Sequence, residues 1–241
     1  MAFDYTNYYE LDYIESSGTQ RIDTGVKASQ NLNVLRIEAD MAFSSVPTGS
    51  DSHFLFGTGY YASSATSRRT IAVGYRQDNA PEVGYFNGPG AFSTGMVDFA
   101  GTTLDAERHI YGIDQVNSVF IYDDQTQEFT TTVNSNLTNN ILIFCGRASG
   151  SSGATINYYS SAKCYGFKIY SNGTLIKNFV PALSKDGAVG LYDTVDEAFH
   201  DNAGSGTFAF GKIKERGSLY IKINGSWVKG VSYIKQNGVW S

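Results

Sequence analysis

A chain of 241 residues can bury a substantial core, enough for one large β-sandwich with a small appendage or for two modest domains. Its net charge of −5, from 18 basic and 23 acidic residues without a long basic run, argues against nucleic acid as a partner. No stretch nears the roughly 20 apolar residues that span a bilayer, which argues against membrane insertion.

The chain opens on a tyrosine-rich stretch carrying Tyr5, Tyr8 and Tyr9. It lacks the basic and apolar regions of a secretory leader, so synthesis in a cytoplasm without a leader of its own is expected. Residues 1–9 show no core role in the sequence. They read as an arm that docks on a partner through these tyrosines.

Strand signals follow. Leu35, Ile37, Ala39, Met41 and Phe43 alternate with Arg36, Glu38 and Asp40, which is period two with one wet face. Further strand-like runs lie at Phe54–Phe56, Ile71–Tyr75, Val83–Phe86, His109–Ile113, Val119–Tyr122, Phe129–Val133 and Tyr165–Tyr170. The run Ile141–Cys145 has no polar alternation and predicts a central strand covered on both faces. Many short strands without any segment of helical period predict an all-β sandwich. Between them, Gly57–Thr70, Asn87–Gly95 and the Gly/Ser-rich Gly146–Asn157 are expected as long mobile loops. Cys145 and Cys164 both lie in apolar runs and are expected as buried free thiols rather than a disulfide.

Asn172-Gly173 separates two strand-like runs and predicts a two-residue type I′ hairpin turn. The same pair recurs at Asn224-Gly225 and Asn237-Gly238 inside a repeat. Tyr220-Ile221-Lys222-Ile223-Asn224-Gly225-Ser226-Trp227 matches Tyr233-Ile234-Lys235-Gln236-Asn237-Gly238-Val239-Trp240 at six of eight positions, with a period of 13. Residues 212–241 therefore read as a small tandem β-hairpin module, set off by the charged stretch Lys212–Gly217. Trp227 and Trp240 are its candidate partner-binding residues.

The segment Glu10–Gly25, with Ile14-Glu15-Ser16-Ser17-Gly18-Thr19-Gln20 at its centre, resembles the opening of concanavalin A-like (laminin G-like) jelly-roll domains of bacteriophage tail and other virion structural proteins. Closing features of that family follow in order: Ala162–Tyr170, Phe179–Leu183, Lys185–Gly187, Gly190–Asp193 and Asn202–Gly204. The resemblance covers both ends of residues 10–211, while the middle diverges. It implies a jelly-roll sandwich over that range, in a protein of the virion made in a bacterial host. It does not fix the role in the particle, because fold does not imply function.

Candidate chemistry is sparse. Some relatives of this fold hydrolyse β-glucans with a Glu-x-Asp-x-x-Glu strand motif, whose paired carboxylates act as nucleophile and acid. Glu38-Ala39-Asp40 approaches it, but Phe43 stands where the second Glu is needed, so a solvated strand face is expected and no catalytic residue is assigned. Asp193, Asp196, Glu197, His200 and Asp201 would share one face of a helix and could then hold a metal. The resemblance makes that segment a turn between two strands, and no metal or cofactor is expected. Asp123-Asp124 reads most simply as a turn, with a structural calcium, which some relatives of this fold hold, as the secondary reading. His53, His109 and His200 have no nucleophile in a recognisable motif beside them.

Aromatic clusters remain. Tyr60 and Tyr61 precede Arg68 and Arg69, and Tyr158 and Tyr159 follow the Gly/Ser-rich stretch. Tyr rings stack on sugar faces and Arg donates in pairs, so these six residues form the candidate glycan-binding set. The expected function is that of a non-enzymatic virion protein of tail, fibre or head decoration. It would assemble as a homo-oligomer with other virion proteins and bind host cell-surface carbohydrate by avidity. Two rivals stand beside it: a purely structural decoration or fibre subunit without a ligand, and a glycan hydrolase of the same fold.

Overall fold

The computed structural model describes residues 2–28, 34–48, 53–60, 69–75, 83–86, 96–98, 103–129, 139–149, 155–214, 220–223, 226–229, 235–236 and 239–240. The first strands are β1 (Tyr8–Glu10), β2 (Ile14–Ser17), β3 (Ile22–Lys27), β4 (Leu35–Phe43), β5 (His53–Tyr60), β6 (Arg69–Tyr75), β7 (Val83–Phe86) and β8 (Met96–Asp98). Then come β9 (His109–Asp114), β10 (Val119–Tyr122), β11 (Gln125–Glu128), β12 (Asn140–Ile143), β13 (Cys145–Ser149), β14 (Thr155–Tyr159), β15 (Ser161–Ser171) and β16 (Thr174–Ser184). The last are β17 (Val189–Asp193), β18 (Ala198–His200), β19 (Ala209–Phe210), β20 (Tyr220–Ile223), β21 (Ser226–Lys229), β22 (Lys235–Gln236) and β23 (Val239–Trp240).

The alternation at Leu35–Phe43 explains why β4 sits mid-sheet: its odd-numbered residues are all buried, while Arg36, Glu38 and Asp40 are half-buried on the other face. β4 belongs to an 11-stranded antiparallel sheet ordered β11-β10-β9-β4-β15-β16-β17-β18, with β1 on β16, β2 on β15 and β19 on β2. A second, 6-stranded sheet runs β3-β12-β5-β6-β7-β8. One apolar cluster joins the two layers, drawing Ile37, Tyr111, Phe167 and Phe179 from the large sheet and Ile22, Phe56, Val73 and Ile143 from the small one. Phe56 and Phe167 meet edge-to-face across it at 5.2 Å. Each such fully buried large side chain contributes about 1.5–3 kcal/mol of transfer free energy. The result is all-β and sandwich-like.

Turn chemistry behaves as the sequence predicts at Asn172-Gly173. Ser171 pairs with Thr174 across it, and φ values of 48° and 74° give the type I′ conformation. Asp123-Asp124 likewise forms a two-residue turn, with Tyr122 paired to Gln125. At the C-terminus β20 pairs with β21 and β22 with β23, flanking the two remaining Asn-Gly pairs, which lie outside the described residues. Both cysteines are buried and neither is in a disulfide.

Four expectations are corrected. The arm at residues 1–9 is built into the fold without entering the core: Tyr8–Glu10 form β1 on β16, and the half-buried Tyr8 ring stacks on Phe199 at 5.2 Å and lies 4.9 Å from Tyr192. The apolar run at Ile141–Cys145 is buried throughout, but it is one strand only as far as Ile143. Phe144 then adopts φ 67°, turns its ring into the core against Phe208, and breaks the strand. The Gly/Ser-rich stretch is a paired hairpin, β13–β14, up to the tip at 150–154, which lies outside the described residues. Finally, the strand after Asp124 is the polar Gln125–Glu128 at the sheet edge. Phe129 already follows it, and the rest of Phe129–Val133 is outside the described residues. Asn87–Gly95 and residues 61–68 of the first expected loop also lie outside.

Candidate functional site

The two outer faces of the sandwich differ. On the small sheet, Phe54 and Ala72 point away from the main core and form a second apolar cluster with Tyr158. The β13–β14 hairpin closes over them, and its fit is tight. A β-carbon at Gly146 would lie 2.3 Å from Phe54 Cγ, so only glycine lets the hairpin backbone approach.

The outer face of the large sheet is open, and it holds the candidate site. Register places Glu38 of β4 between Lys168 of β15 and Gly112 of β9, and Asp40 between Gly166 and Ile110. Gly166 therefore leaves the floor beside Asp40 as backbone, with nothing nearer than 3.8 Å to a β-carbon built there, whereas the space over Gly112 is taken by the Ile121 side chain. A register shift between Cys164 and Gly166 raises the Tyr165 ring beside this floor. Two hollows result, of about 480 Å³ and about 260 Å³, and they share Glu38 as a common wall.

Charges on this face are fixed by partners. Arg108 grips Asp40 through two bonds of 2.6 Å and lies 4.1 Å over the Tyr165 ring. Tyr165 packs on Tyr13 at 5.4 Å, and Lys163 sits over Tyr13. Arg36 Nε donates to Glu38 at 2.9 Å and its Nη1 reaches Asp114 at 3.5 Å, while the Tyr170 hydroxyl donates to Glu38 at 3.4 Å. The bonds to Asp40 push the Arg108 pKa up, and burial raises those of Tyr165 and Tyr170, so both phenols stay protonated donors at neutral pH. Flat rings, fixed acceptors and exposed Lys168 surround a shallow groove that can stack on and hydrogen-bond a polyhydroxylated ligand.

The residues expected from sequence are dispersed. Tyr158 meets Phe54 edge-on at 5.7 Å with φ 62°, so it lies under the hairpin rather than in a loop. The Tyr159 hydroxyl accepts a 2.8 Å bond from Arg21, and the Tyr159 carbonyl bonds His53. Tyr60 and Arg69 are paired across β5–β6, with their side chains outside the described residues, as are Tyr61 and Arg68 entirely. Trp227 and Trp240 occupy β21 and β23 opposite Lys222 and Lys235. Among the N-terminal tyrosines, Tyr5 and Tyr9 are 39% and 44% exposed and border, with Ile213 at 46%, a hollow of about 300 Å³.

The segment with Asp193 and His200 is the expected turn between two strands. Asp193 is fully buried, accepts from the amides of Asn178 and Val195, and lies 2.9 Å from Lys177 Nζ. His200 bonds the Asp23 carbonyl, tying the two sheets together. Among the described residues no three His, Cys, Asp or Glu side chains converge in a metal-holding group. Sequence reasoning took Tyr165–Tyr170 as a strand and missed that Lys163, Tyr165, Lys168 and Tyr170 share its wet face. The tyrosines at polar-phase positions were the signal. No protein-family model matches this chain, and neither does any curated protein or solved structure.

Proposed function

We propose that this chain is a non-enzymatic structural protein of a bacteriophage virion. In this reading its residues 10–211 form a concanavalin A-like jelly roll, and the sandwich binds a host-surface glycan in the groove beside Tyr165. The single observation that carries the binding reading is the open groove itself, glycine-floored and lined by Tyr165, Tyr170, Glu38 and Asp40. The opening and closing sequence motifs support the virion assignment, and the antiparallel two-layer architecture fits the jelly roll. Hydrolysis is disfavoured chemically. A retaining or inverting glycosidase needs two carboxyl groups free to work on either side of the scissile bond, whereas Glu38 and Asp40 are each engaged by an arginine, at 2.5 Å and 2.6 Å.

Purified protein applied to an array of bacterial surface glycans tests the reading. Specific signal that disappears in the Tyr165→Ala/Tyr170→Ala variant is expected. Signal unchanged in that variant moves the site elsewhere, and none from wild type leaves the structural decoration reading in its place. That second reading has its own support in the exposed Tyr5, Tyr9 and Ile213 patch, which suits contact with another virion subunit or a second copy. The C-terminal hairpins, as a separable module, would add attachment surface through Trp227 and Trp240.

A further inference from the structure

Away from the groove, the densest cluster of titratable groups sits where β9 begins. His109 places Nε2 2.9 Å from Asp105 Oδ1 and Nδ1 2.7 Å from Asp123 Oδ2. Its ring stacks on Tyr122 at 4.6 Å and meets Tyr111 edge-on at 6.0 Å. Asp105 lies in the segment leading into β9, and Asp123 in the turn between β10 and β11. A carboxylate only accepts, so both ring nitrogens must donate, and only the imidazolium carries two N–H groups.

We propose that His109 is a proton-operated latch that fastens the 103–108 segment and the β10–β11 turn to the end of the large sheet, closed while the imidazole holds its second proton and released when it loses it. The latch has a mechanical load. Asp123 Oδ1 accepts the Ile110 amide at 2.8 Å, and the Asp123 amide donates back to the Ile110 carbonyl at 2.8 Å. Asp105 Oδ1 also accepts the Glu107 amide, which shapes the approach to Arg108. Deprotonation puts a ring lone pair against one carboxylate, and that carboxylate and its turn are pushed away. No ligand in the groove is required.

The sign follows from the groups facing the ring. Partial burial pulls the His109 pKa down, but hydrogen bonds and charge from Asp123 and Asp105 lift it above the ordinary value. Its contribution is therefore complete below about pH 6.5 and is lost as pH rises through the lifted value. For Asp105, burial acts upward, yet the bond from His109 brings the net value below the ordinary carboxylate range, so its contribution fades only in strong acid. The other facing groups do not titrate between. Burial pushes Tyr122 up to about 12 and Tyr111 higher, and β4 presents Met41 opposite His109.

Amide hydrogen exchange tests the latch on the full chain. Protection of the Ile110 and Asp123 amides, taken relative to amides of β15 and corrected for intrinsic rates, should fall roughly fivefold or more from about pH 6 to about pH 9. His109→Gln, which cannot donate to both carboxylates, should give the low value at both pH values. A wild-type ratio that stays constant overturns the proposal, as does a His109→Gln ratio that still falls with pH. Should that variant fail to fold, the imidazole titration by NMR decides: its midpoint should drop in Asp105→Asn, and an unmoved midpoint overturns the latch.

Discussion

The outer face of the small sheet and the outer face of the large sheet start from the same period-two strands and end differently. On the small sheet the outward phase carries Phe54 and Ala72, and a hairpin covers them. On the large sheet it carries Arg36, Glu38, Asp40, Lys168 and two tyrosines, and among the described residues no hairpin closes over them. The difference shows how a sandwich divides its surface. An apolar outward phase costs free energy until it is buried, so chain is committed to covering it. A polar outward phase is content in water and remains available for a ligand. Gly146 in β13 follows from the first task, since only glycine lets the backbone there lie against the Phe54 ring.

The largest effect should come from emptying the covered side. Phe54 is fully buried, so Phe54→Ala should lower stability by about 3–5 kcal/mol in urea unfolding. Amide protection in β13–β14 should fall with it. A loss below about 1 kcal/mol would show that the cover contributes little and that the two faces differ only in appearance. Next comes the opposite change, overfilling. Gly146→Ala forces its β-carbon into the Phe54 ring and should cost about 1–3 kcal/mol, read as a shift of the urea midpoint at constant slope. A neutral Gly146→Ala would mean the hairpin rides higher above the sheet.

The same comparison explains what could be read from sequence. β4 was legible because its alternation is strict, and the Asn172-Gly173 turn because its backbone demand is met by few residue pairs. The β13–β14 hairpin was not, because Gly146–Asn157 has linker composition and its pairing depends on Phe54, about 90 residues away in the chain. No local signal carries that dependence. The break at Phe144 was hidden for a related reason: a bulky residue with φ 67° is held by tertiary contacts, here Phe208 and the Leu55 and Ser160 hydrogen bonds. The groove was not legible because it forms across strands. Tyr165 and Tyr170 come near Glu38 and Asp40 through register, which the sequence does not display.

The smallest predicted effect is on stability at the open side, and it sharpens the comparison most. Tyr165 is half-buried, rests on Tyr13 and Arg108, and reaches no part of the main core. Removing its ring leaves Arg108 held by two bonds to Asp40, and the vacated space opens to water rather than forming a cavity. Tyr165→Ala should therefore change unfolding free energy by about 0.5 kcal/mol or less. If Phe54→Ala and Tyr165→Ala cost the same, the large-sheet face is a structural surface like the other, and the tyrosine there is needed for folding. If only Phe54→Ala destabilises, Tyr165 occupies a position that folding does not require. An aromatic ring at such a position, beside the open floor over Gly166, is then explained by what it contacts outside the chain.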